Sequence, residues 1–313
     1  MSLRTPLLAA ACAVTLATLA GCGNGDAADS ATTPVSAEKL NVVTSFYPLE
    51  FITKKVGGDR VDVANLTAPG VEPHDLELTP KQVGTLAKAK LVVFEKDLQP
   101  AVDEAVAQNA AEAGFDVAPA AKLEATGADF GEEGEEVKPG ALDPHFWLDP
   151  VRVGDVADAI ADKLASTDPA NADGYKQRAA ALHGELTTLD NDFRTGLANC
   201  KLKVFVTSHS AFAYLAQRYG LQQVGIAGTS PDQEPSPAHL KEIHDIVTQN
   251  KVTTIFYEEL VSPKVAESVA RDLKVKTAVL SPIEGLADAN STEDYLSLMH
   301  ENLAELKKAN GCA

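Results

Sequence analysis

The sequence is poor in several residue types, and each shortage excludes a class of protein. Its 313 residues include one tryptophan and two methionines, and 27 basic residues face 45 acidic ones, which gives a formal net charge of −18. Such a chain is unsuited to nucleic acid, whose phosphates are bound mainly by Lys and Arg. The sequence also has no H-E-x-x-H or G-x-S-x-G motif, so the signatures of zinc peptidases and serine hydrolases are missing.

Long apolar runs are also missing, and the longest candidate lies at the N-terminus. Arg4 precedes an apolar stretch over residues 7–19, and Leu19-Ala20-Gly21-Cys22 follows. The stretch is shorter than the roughly 20 residues of a membrane-spanning helix. It predicts a bacterial lipoprotein signal peptide (residues 1–21), cleaved before Cys22 and followed by acylation of its thiol. A plain signal peptide and a core helix are the alternatives. Residues 22–38 then form the lipid anchor and a flexible tether.

Cysteine is scarce, and the four residues present divide by position. Cys12 leaves with the signal peptide and Cys22 takes the lipid, so Cys200 and Cys312 remain in an oxidising, extracytoplasmic setting. We expect a disulfide between them, with two free buried thiols as the alternative. They lack the close spacing of a zinc knuckle.

Apolar, β-branched runs alternate with amphipathic helical stretches along the rest of the chain. This alternation is typical of α/β proteins with parallel sheets. The length suits two lobes, which we place at residues 39–166 and 200–313 with a linking helix at 167–199. The predicted strands are Leu40–Thr44, Val61–Leu66, Leu91–Phe94, Val204–Val206, Val252–Phe256 and Val275–Leu280.

The predicted linking helix presents one apolar stripe. Its members recur at spacings of four and three residues, which is the period of one helix face. Asp168-Pro169 indicates its start, since Pro suits the first helical turn. The stripe consists of Tyr175, Ala179, Leu182, Leu186, Leu189, Phe193 and Leu197.

An acidic segment at residues 124–142 interrupts the pattern. It contains Gly131-Glu132-Glu133-Gly134-Glu135-Glu136 and then Pro139-Gly140, which is loop chemistry with concentrated negative charge. It has two interpretations, a solvated loop or a loop that attracts cations to a metal site. The segment contains no histidine.

Three histidines follow similar turn or strand-end sequences: Glu72-Pro73-His74, Asp143-Pro144-His145 and Thr207-Ser208-His209. Ligands of open α/β sheets gather at the carboxyl ends of strands, where we expect His74 and His209. The three imidazoles together predict a metal site between the lobes. The other histidines lack this context and are expected at the surface or in the core; they are His183, His239, His244 and His300.

A tetrahedral ion needs a fourth ligand, and five carboxylates are candidates. Glu284 is the best placed, because it follows the strand at Val275–Leu280. Three imidazoles and a carboxylate suit zinc, whereas manganese prefers more oxygen and copper(I) requires sulfur. The candidates are Glu72, Asp75, Glu258, Glu259 and Glu284.

The motifs around these residues resemble the metal-specific solute-binding lipoproteins of ABC importers, of the cluster A-I type. The similarity extends from about Leu40 to the C-terminus, and the histidine at the third ligand position resembles the zinc branch. The motifs are Thr44-Ser45-Phe46-Tyr47-Pro48-Leu49, Val56-Gly57-Gly58-Asp59, the stretch Val71 to Pro80, Asp143-Pro144-His145-Phe146-Trp147-Leu148-Asp149-Pro150, Ser208 to Leu215, and Pro282-Ile283-Glu284-Gly285-Leu286.

The resemblance implies a monomer with two similar α/β lobes joined by a rigid helix. It would hold zinc in the cleft and deliver it to a membrane permease driven by a cytoplasmic ATPase. His74, His145 and His209 carry over as ligands, with Glu284 or a water as the fourth. We expect Asp149 and Glu258 to orient the imidazoles, although Asp149 also suits a helix cap.

Other functions stay open at this point. A manganese or iron member of the family is one alternative, and a surface lipoprotein acting as an adhesin or metal buffer is another. A zinc hydrolase fits poorly, because four protein ligands leave no open coordination position.

Overall fold

The computed structural model describes residues 39–126 and 141–313, and within them the strands form two four-stranded parallel sheets. The N-terminal sheet has the order β2-β1-β3-β4 and the C-terminal sheet the order β6-β5-β7-β8. Leu40 pairs with Val61, and Val204 pairs with Gln222. The predicted α/β class with two parallel sheets is confirmed. The strands are β1 (Leu40–Thr44), β2 (Val61–Asn65), β3 (Leu91–Phe94), β4 (Gly114–Asp116), β5 (Val204–Thr207), β6 (Gln222–Gly225), β7 (Thr254–Tyr257) and β8 (Lys276–Val279).

Helices cover these sheets, and several begin where the sequence supplies a cap or a proline. Thr79 and Asp294 form capping boxes, and Ser236 accepts a hydrogen bond from the backbone N–H of His239. The helices are α1 (Tyr47–Gly57), α2 (Pro80–Leu86), α3 (Pro100–Asn109), α4 (Ala118–Ala121), α5 (Pro150–Thr167), α6 (Ala172–Leu197), α7 (Ala213–Tyr219), α8 (Pro237–Asn250), α9 (Lys264–Leu273) and α10 (Tyr295–Asn310).

The long helix α6 follows the N-terminal sheet and precedes the C-terminal one. All seven residues of its predicted stripe are at most 2% exposed, and they join one hydrophobic core that also contains residues of both sheets. The helix begins at Ala172, later than the predicted start. Pro169 disfavours helical geometry at Asp168, so α5 ends there and a 3₁₀ turn at Pro169–Asn171 precedes α6.

Two short strands, β4 and β6, were not predicted. Both lie at a sheet edge, and β4 has only three residues, Gly114, Phe115 and Asp116. Glycine and aspartate are poor strand formers, and Gln222 and Gln223 of β6 give no apolar signal. With these strands included, the two sheets have the same strand order, a repeat that the sequence does not display.

The predicted disulfide is confirmed, since Cys200 and Cys312 are bonded. It joins Cys200, four residues before β5, to Cys312, two residues after the end of α10. Next to it, the backbone N–H of Leu202 donates to the carbonyl oxygen of Asn310 at 3.0 Å. The C-terminus is thereby fixed to the start of the second sheet.

Several predictions lie outside the described residues. These are the signal peptide, the tether, Cys22 and residues 127–140 of the acidic segment. Among the described residues, no helix combines the length and the hydrophobicity that crossing a membrane requires.

Candidate metal centre

His74 lies in the long loop after β2, and a buried glutamine holds this loop. The side-chain amide of Gln99 donates to the carbonyl oxygen of Pro73 at 3.0 Å and to Oγ1 of Thr67 at 3.1 Å. Thr67 in turn donates to the carbonyl oxygen of Ser45, directly after β1. The histidine is thereby tied to the carboxyl end of β1 in the N-terminal sheet. Its side chain is 10% exposed.

His145 is fully buried and depends on Asp143, two residues earlier. One carboxylate oxygen of Asp143 accepts from the backbone N–H of His145 at 3.0 Å and lies 2.7 Å from Nδ1 of its ring. Thr126 donates to the other oxygen. This arrangement places the proton of the ring on Nδ1 and leaves Nε2 with its lone pair toward the site.

His209 follows β5 by two residues, and its ring contacts the carboxylate that follows β7. Nδ1 of His209 lies 2.8 Å from Oε1 of Glu258, to which Ser208 also donates. The side-chain amide of Gln223 donates to the carbonyl oxygen of His209 at 3.0 Å. Both the backbone and the ring of this histidine are therefore fixed, and Nε2 faces the site.

Glu284 lies after β8 in a segment of unusual backbone conformation. The preceding residue, Ile283, has φ +57°, a left-handed geometry that β-branched residues rarely adopt. Such strain costs about 1–3 kcal/mol and persists only where surrounding contacts enforce it. Here Asn302 bonds both the N–H and the carbonyl oxygen of Ser281. The strained turn directs Glu284 into the protein, where its side chain is fully buried.

The four side chains meet at one point. Oε1 of Glu284 lies 3.1 Å from Nε2 of His209, 3.3 Å from Nε2 of His145 and 3.5 Å from Nε2 of His74. The ligand atoms of the four residues all lie within 4.8 Å of one another. Nε2 of His74, Nε2 of His145 and Oε2 of Glu284 are buried without a hydrogen-bond partner in the described part of the chain. Unpartnered buried polar atoms are rare unless a ligand completes them.

Burial and neighbouring charges shift the pKa values of three groups in the site. Burial lowers the pKa of His209, but the carboxylates of Glu258 and Glu284 outweigh it and raise that pKa well above its ordinary value. Burial likewise lowers the pKa of His145, and hydrogen bonds to Asp143 and Glu284 reverse the shift and raise it. Burial raises the pKa of Glu284, yet the three histidines hold it well below its usual range. The metal-free site therefore attracts positive charge.

The other carboxylates that the sequence offered as a fourth ligand have different positions in the structure. Glu258 bonds to His209 rather than facing the meeting point, and Glu259 is exposed. Glu72 and Asp75 form a second group of carboxylates with Asp232 beside His74. The hydrogen bond between Asp232 and Asp75 raises the pKa of Asp232 to about 6.

Asp149 requires a correction. Its carboxylate accepts from the backbone N–H of Val151 at 2.9 Å and caps α5, and Arg218 lies 3.3 Å from it. Asp149 therefore caps a helix, the alternative role expected from sequence, while Asp143 bonds the imidazole of His145. Asp143 was missed, although its position two residues before a turn histidine is the signal that could have revealed it.

The remaining histidines lie outside the group of four. His183 pairs with Asp158 on the surface, and His300 pairs with Asp192. His239 lies 2.9 Å from the carbonyl oxygen of Gly225, and His244 is exposed. These positions agree with the surface or core roles expected from sequence.

Comparison with known proteins gives a consistent family. The model of the family described as "Zinc-uptake complex component A periplasmic" matches residues 42–309. The "Zinc-binding lipoprotein AdcA" of Streptococcus pneumoniae (strain ATCC BAA-255 / R6) is 37% identical over 96% of this chain, and the chain spans 60% of that protein's length. The "High-affinity zinc uptake system protein ZnuA" of Bacillus subtilis (strain 168) is 36% identical, with 92% of each chain covered.

A solved structure shows the same fold. It is that of the laminin-binding protein Lmb of Streptococcus agalactiae, described as "a bifunctional protein with adhesin and metal transporting activity". The two structures superpose with a TM-score of 0.74 at 35% sequence identity, and the match covers 86% of this chain and 99% of Lmb. The family match extends over most of the chain, and the relatives retain substantial identity across it. The chain therefore belongs to the ZnuA family of zinc-uptake complex component A proteins.

Proposed function

We propose that this protein binds one zinc ion through His74, His145, His209 and Glu284 and delivers it to an ABC permease driven by a cytoplasmic ATPase. The observation that carries the proposal is the convergence of three Nε2 atoms on one buried carboxylate oxygen, at 3.1–3.5 Å. Zn–N distances of about 2.0–2.1 Å and Zn–O distances of about 2.0–2.2 Å in a tetrahedron imply about 3.3–3.5 Å between a nitrogen and an oxygen ligand atom. The observed distances from Oε1 of Glu284 to the three Nε2 atoms lie close to that range.

The chemistry of the ligands supports zinc over the other metals. Three neutral imidazoles and one carboxylate suit a borderline ion, whereas manganese and iron(II) sites usually contain more oxygen. Asp143 and Glu258 hold two of the imidazoles from behind, the usual arrangement for histidines that bind zinc. Related proteins are named for zinc binding and zinc uptake.

The closed ligand set supports transport rather than catalysis. Four protein ligands complete a tetrahedron, whereas catalytic zinc keeps one position for water or substrate. Two of the proposed ligands, His74 and His145, precede α6 in the chain. The other two, His209 and Glu284, follow it. A small separation of the proposed lobes, residues 39–166 and 200–313, would therefore open the site.

The proposal includes the location and assembly expected from sequence. Acylation of Cys22 would anchor a monomer to the outer face of the cell membrane, close to its permease. The name of the related AdcA includes the word lipoprotein, which supports the anchor. Metabolic labelling with a fatty-acid analogue, with Cys22→Ala as control, tests it; a labelled Cys22→Ala chain would exclude attachment at that thiol.

An adhesin role is the second candidate, because the related Lmb carries that description beside metal transport. Binding of the purified protein to immobilised laminin, compared with bovine serum albumin, tests it. Saturable binding to laminin would support an adhesin role. Laminin binding no higher than the albumin background would exclude it.

Competition between metals tests the main proposal. The purified metal-free protein is equilibrated with equal zinc and manganese and weighed by native mass spectrometry, beside His209→Ala and Glu284→Ala. We expect one tightly held zinc in the parent and weaker binding in both variants. Retention of manganese in preference to zinc would contradict the assignment. Unchanged binding by Glu284→Ala would contradict only the fourth ligand.

A further inference from the structure

Trp147 is the single tryptophan of the sequence, and it joins the two segments that carry ligands. It lies two residues after His145 and is fully buried. Its indole N–H donates to the carbonyl oxygen of Pro282 at 2.7 Å, and Pro282 lies two residues before Glu284. One hydrogen bond therefore connects a ligand segment before α6 with a ligand segment after it.

Aromatic neighbours fix the indole ring in this orientation. The ring of Phe46 lies 4.9 Å away and that of Phe146 lies 5.7 Å away, both edge to face. The imidazole of His145 itself lies 5.2 Å from the indole. Close packing on these sides leaves the ring little freedom to turn, so the position of its N–H is set by the N-terminal half.

The acceptor of this hydrogen bond is the peptide group on which the strained turn depends. The carbonyl of Pro282 and the N–H of Ile283 belong to one planar unit, and φ of Ile283 measures the rotation of Cα against that unit. Holding the oxygen of Pro282 therefore opposes the relaxation of Ile283 from φ +57°. Ser281 assists from the other side, since its Oγ accepts from the N–H of Ile283 at 3.3 Å.

We propose that Trp147 is a positioning residue for the fourth ligand. Its hydrogen bond keeps Ile283 in the left-handed conformation, and that conformation directs Glu284 toward the three histidines. Trp147 contacts no metal in this scheme and acts through Glu284 alone. The inference rests on the proposed function, in which these four residues bind zinc.

A double-mutant cycle tests whether Trp147 acts through Glu284. Zinc affinity is measured by competition with a chromogenic chelator for the parent, Trp147→Phe, Glu284→Gln and the double variant. We expect Trp147→Phe to weaken zinc about ten-fold or more, as loss of an outer partner does. In the Glu284→Gln background the same substitution should cost no further affinity, because the residue it positions is already altered.

Cobalt(II) absorption and a matched control variant supplement the double-mutant cycle. Trp147→Phe should lose the intense tetrahedral spectrum of the parent and match Glu284→Gln. Tyr219→Phe removes a different buried hydrogen bond, to Asp190, and should keep affinity within about two-fold of the parent. Equal losses from Trp147→Phe in both backgrounds, or a parent-like cobalt spectrum, would overturn the proposal.

Hydrogen exchange of the indole N–H tests the same coupling in the protein with Trp147 intact, and so decides the question if Trp147→Phe does not fold. Coupling is reciprocal, so zinc should slow this exchange in the parent and slow it much less in Glu284→Gln. Exchange that zinc leaves unchanged would overturn the inference. A parent that binds no zinc would instead refute the proposed function, so the two failures are distinguishable.

Discussion

Replacement of Asp143 by asparagine removes one negative charge behind His145 and leaves the shape of the side chain nearly unchanged. In the parent, Oδ1 of Asp143 lies 2.7 Å from Nδ1 of a fully buried imidazole. The carboxylate stabilises the positive charge that zinc places on the ring, and an amide oxygen does this less well. Outer partners of this kind typically contribute 10–100-fold in metal affinity, which is about 1.4–2.7 kcal/mol.

The low exposure of both groups places the expected loss toward the upper part of that range, because little water screens the pair. The substitution should also lower the pKa of His145, since Asp143 is one of the groups that raise it. Protons then compete less with zinc in the variant. The difference in affinity between the parent and Asp143→Asn should therefore narrow as the pH falls toward 6.

Zinc competition titrations between pH 8 and pH 6 measure both effects. Asp158→Asn is the matched control, because it removes a carboxylate that pairs with an exposed histidine, His183, at 3.0 Å. Its zinc affinity should equal that of the parent at every pH. If Asp143→Asn also binds as tightly as the parent throughout this range, the carboxylate does not support the ligand and the reasoning is wrong.

Three further predictions concern pH and stability. The pKa values of His145 and His209 are raised in the metal-free protein, so protons should begin to compete with zinc above the ordinary histidine pKa of about 6.5. Zinc affinity should therefore already be falling at that pH and should continue to fall as the pH drops. Calorimetry at pH 8, 7 and 6 measures this, and a constant affinity would contradict it. The raised pKa values of these two histidines stabilise the metal-free fold below the pKa of the unfolded chain, and this stabilisation is lost as the pH rises through the folded pKa. The Tm of the metal-free protein should therefore decrease from pH 6 to pH 8. An increase would contradict the prediction. Replacing Cys200 and Cys312 by serine should lower the free energy of unfolding by about 3–5 kcal/mol, because the disulfide closes a separation of 112 residues. Denaturant titration measures this change. A variant as stable as the parent would show that the bond does not stabilise the fold.

The positions of the four proposed zinc ligands could largely be predicted from the sequence, because strand ends and turns locate them without knowledge of packing. His209 lies two residues after β5 and Glu284 five residues after β8, so parallel-sheet geometry brings both to the carboxyl ends of the strands of one sheet. The apolar stripe of α6 was equally visible. These features depend on local sequence patterns, which a single chain displays in full.

The supporting contacts were less accessible, because they depend on which distant residues meet. Gln99 and Gln223 hold the backbone beside two ligands, yet neither lies in a motif near a histidine. The left-handed conformation of Ile283 has no sequence signal at all, since isoleucine normally avoids it. Asp149 shows the opposite error, because an acidic residue close to His145 in sequence bonds a helix N-terminus instead.

The geometry of the four proposed ligands also indicates how zinc could be released. Two ligands precede α6 and two follow it, while the hydrophobic core continues across that helix and opposes a wide hinge motion. A wide motion is not required, because metal–ligand distances are tolerated only within about 0.2 Å of their preferred values. Moving the pair His209 and Glu284 by less than an ångström would therefore break a tetrahedral site. A permease that separated the two halves only slightly could release the ion while leaving the core packed.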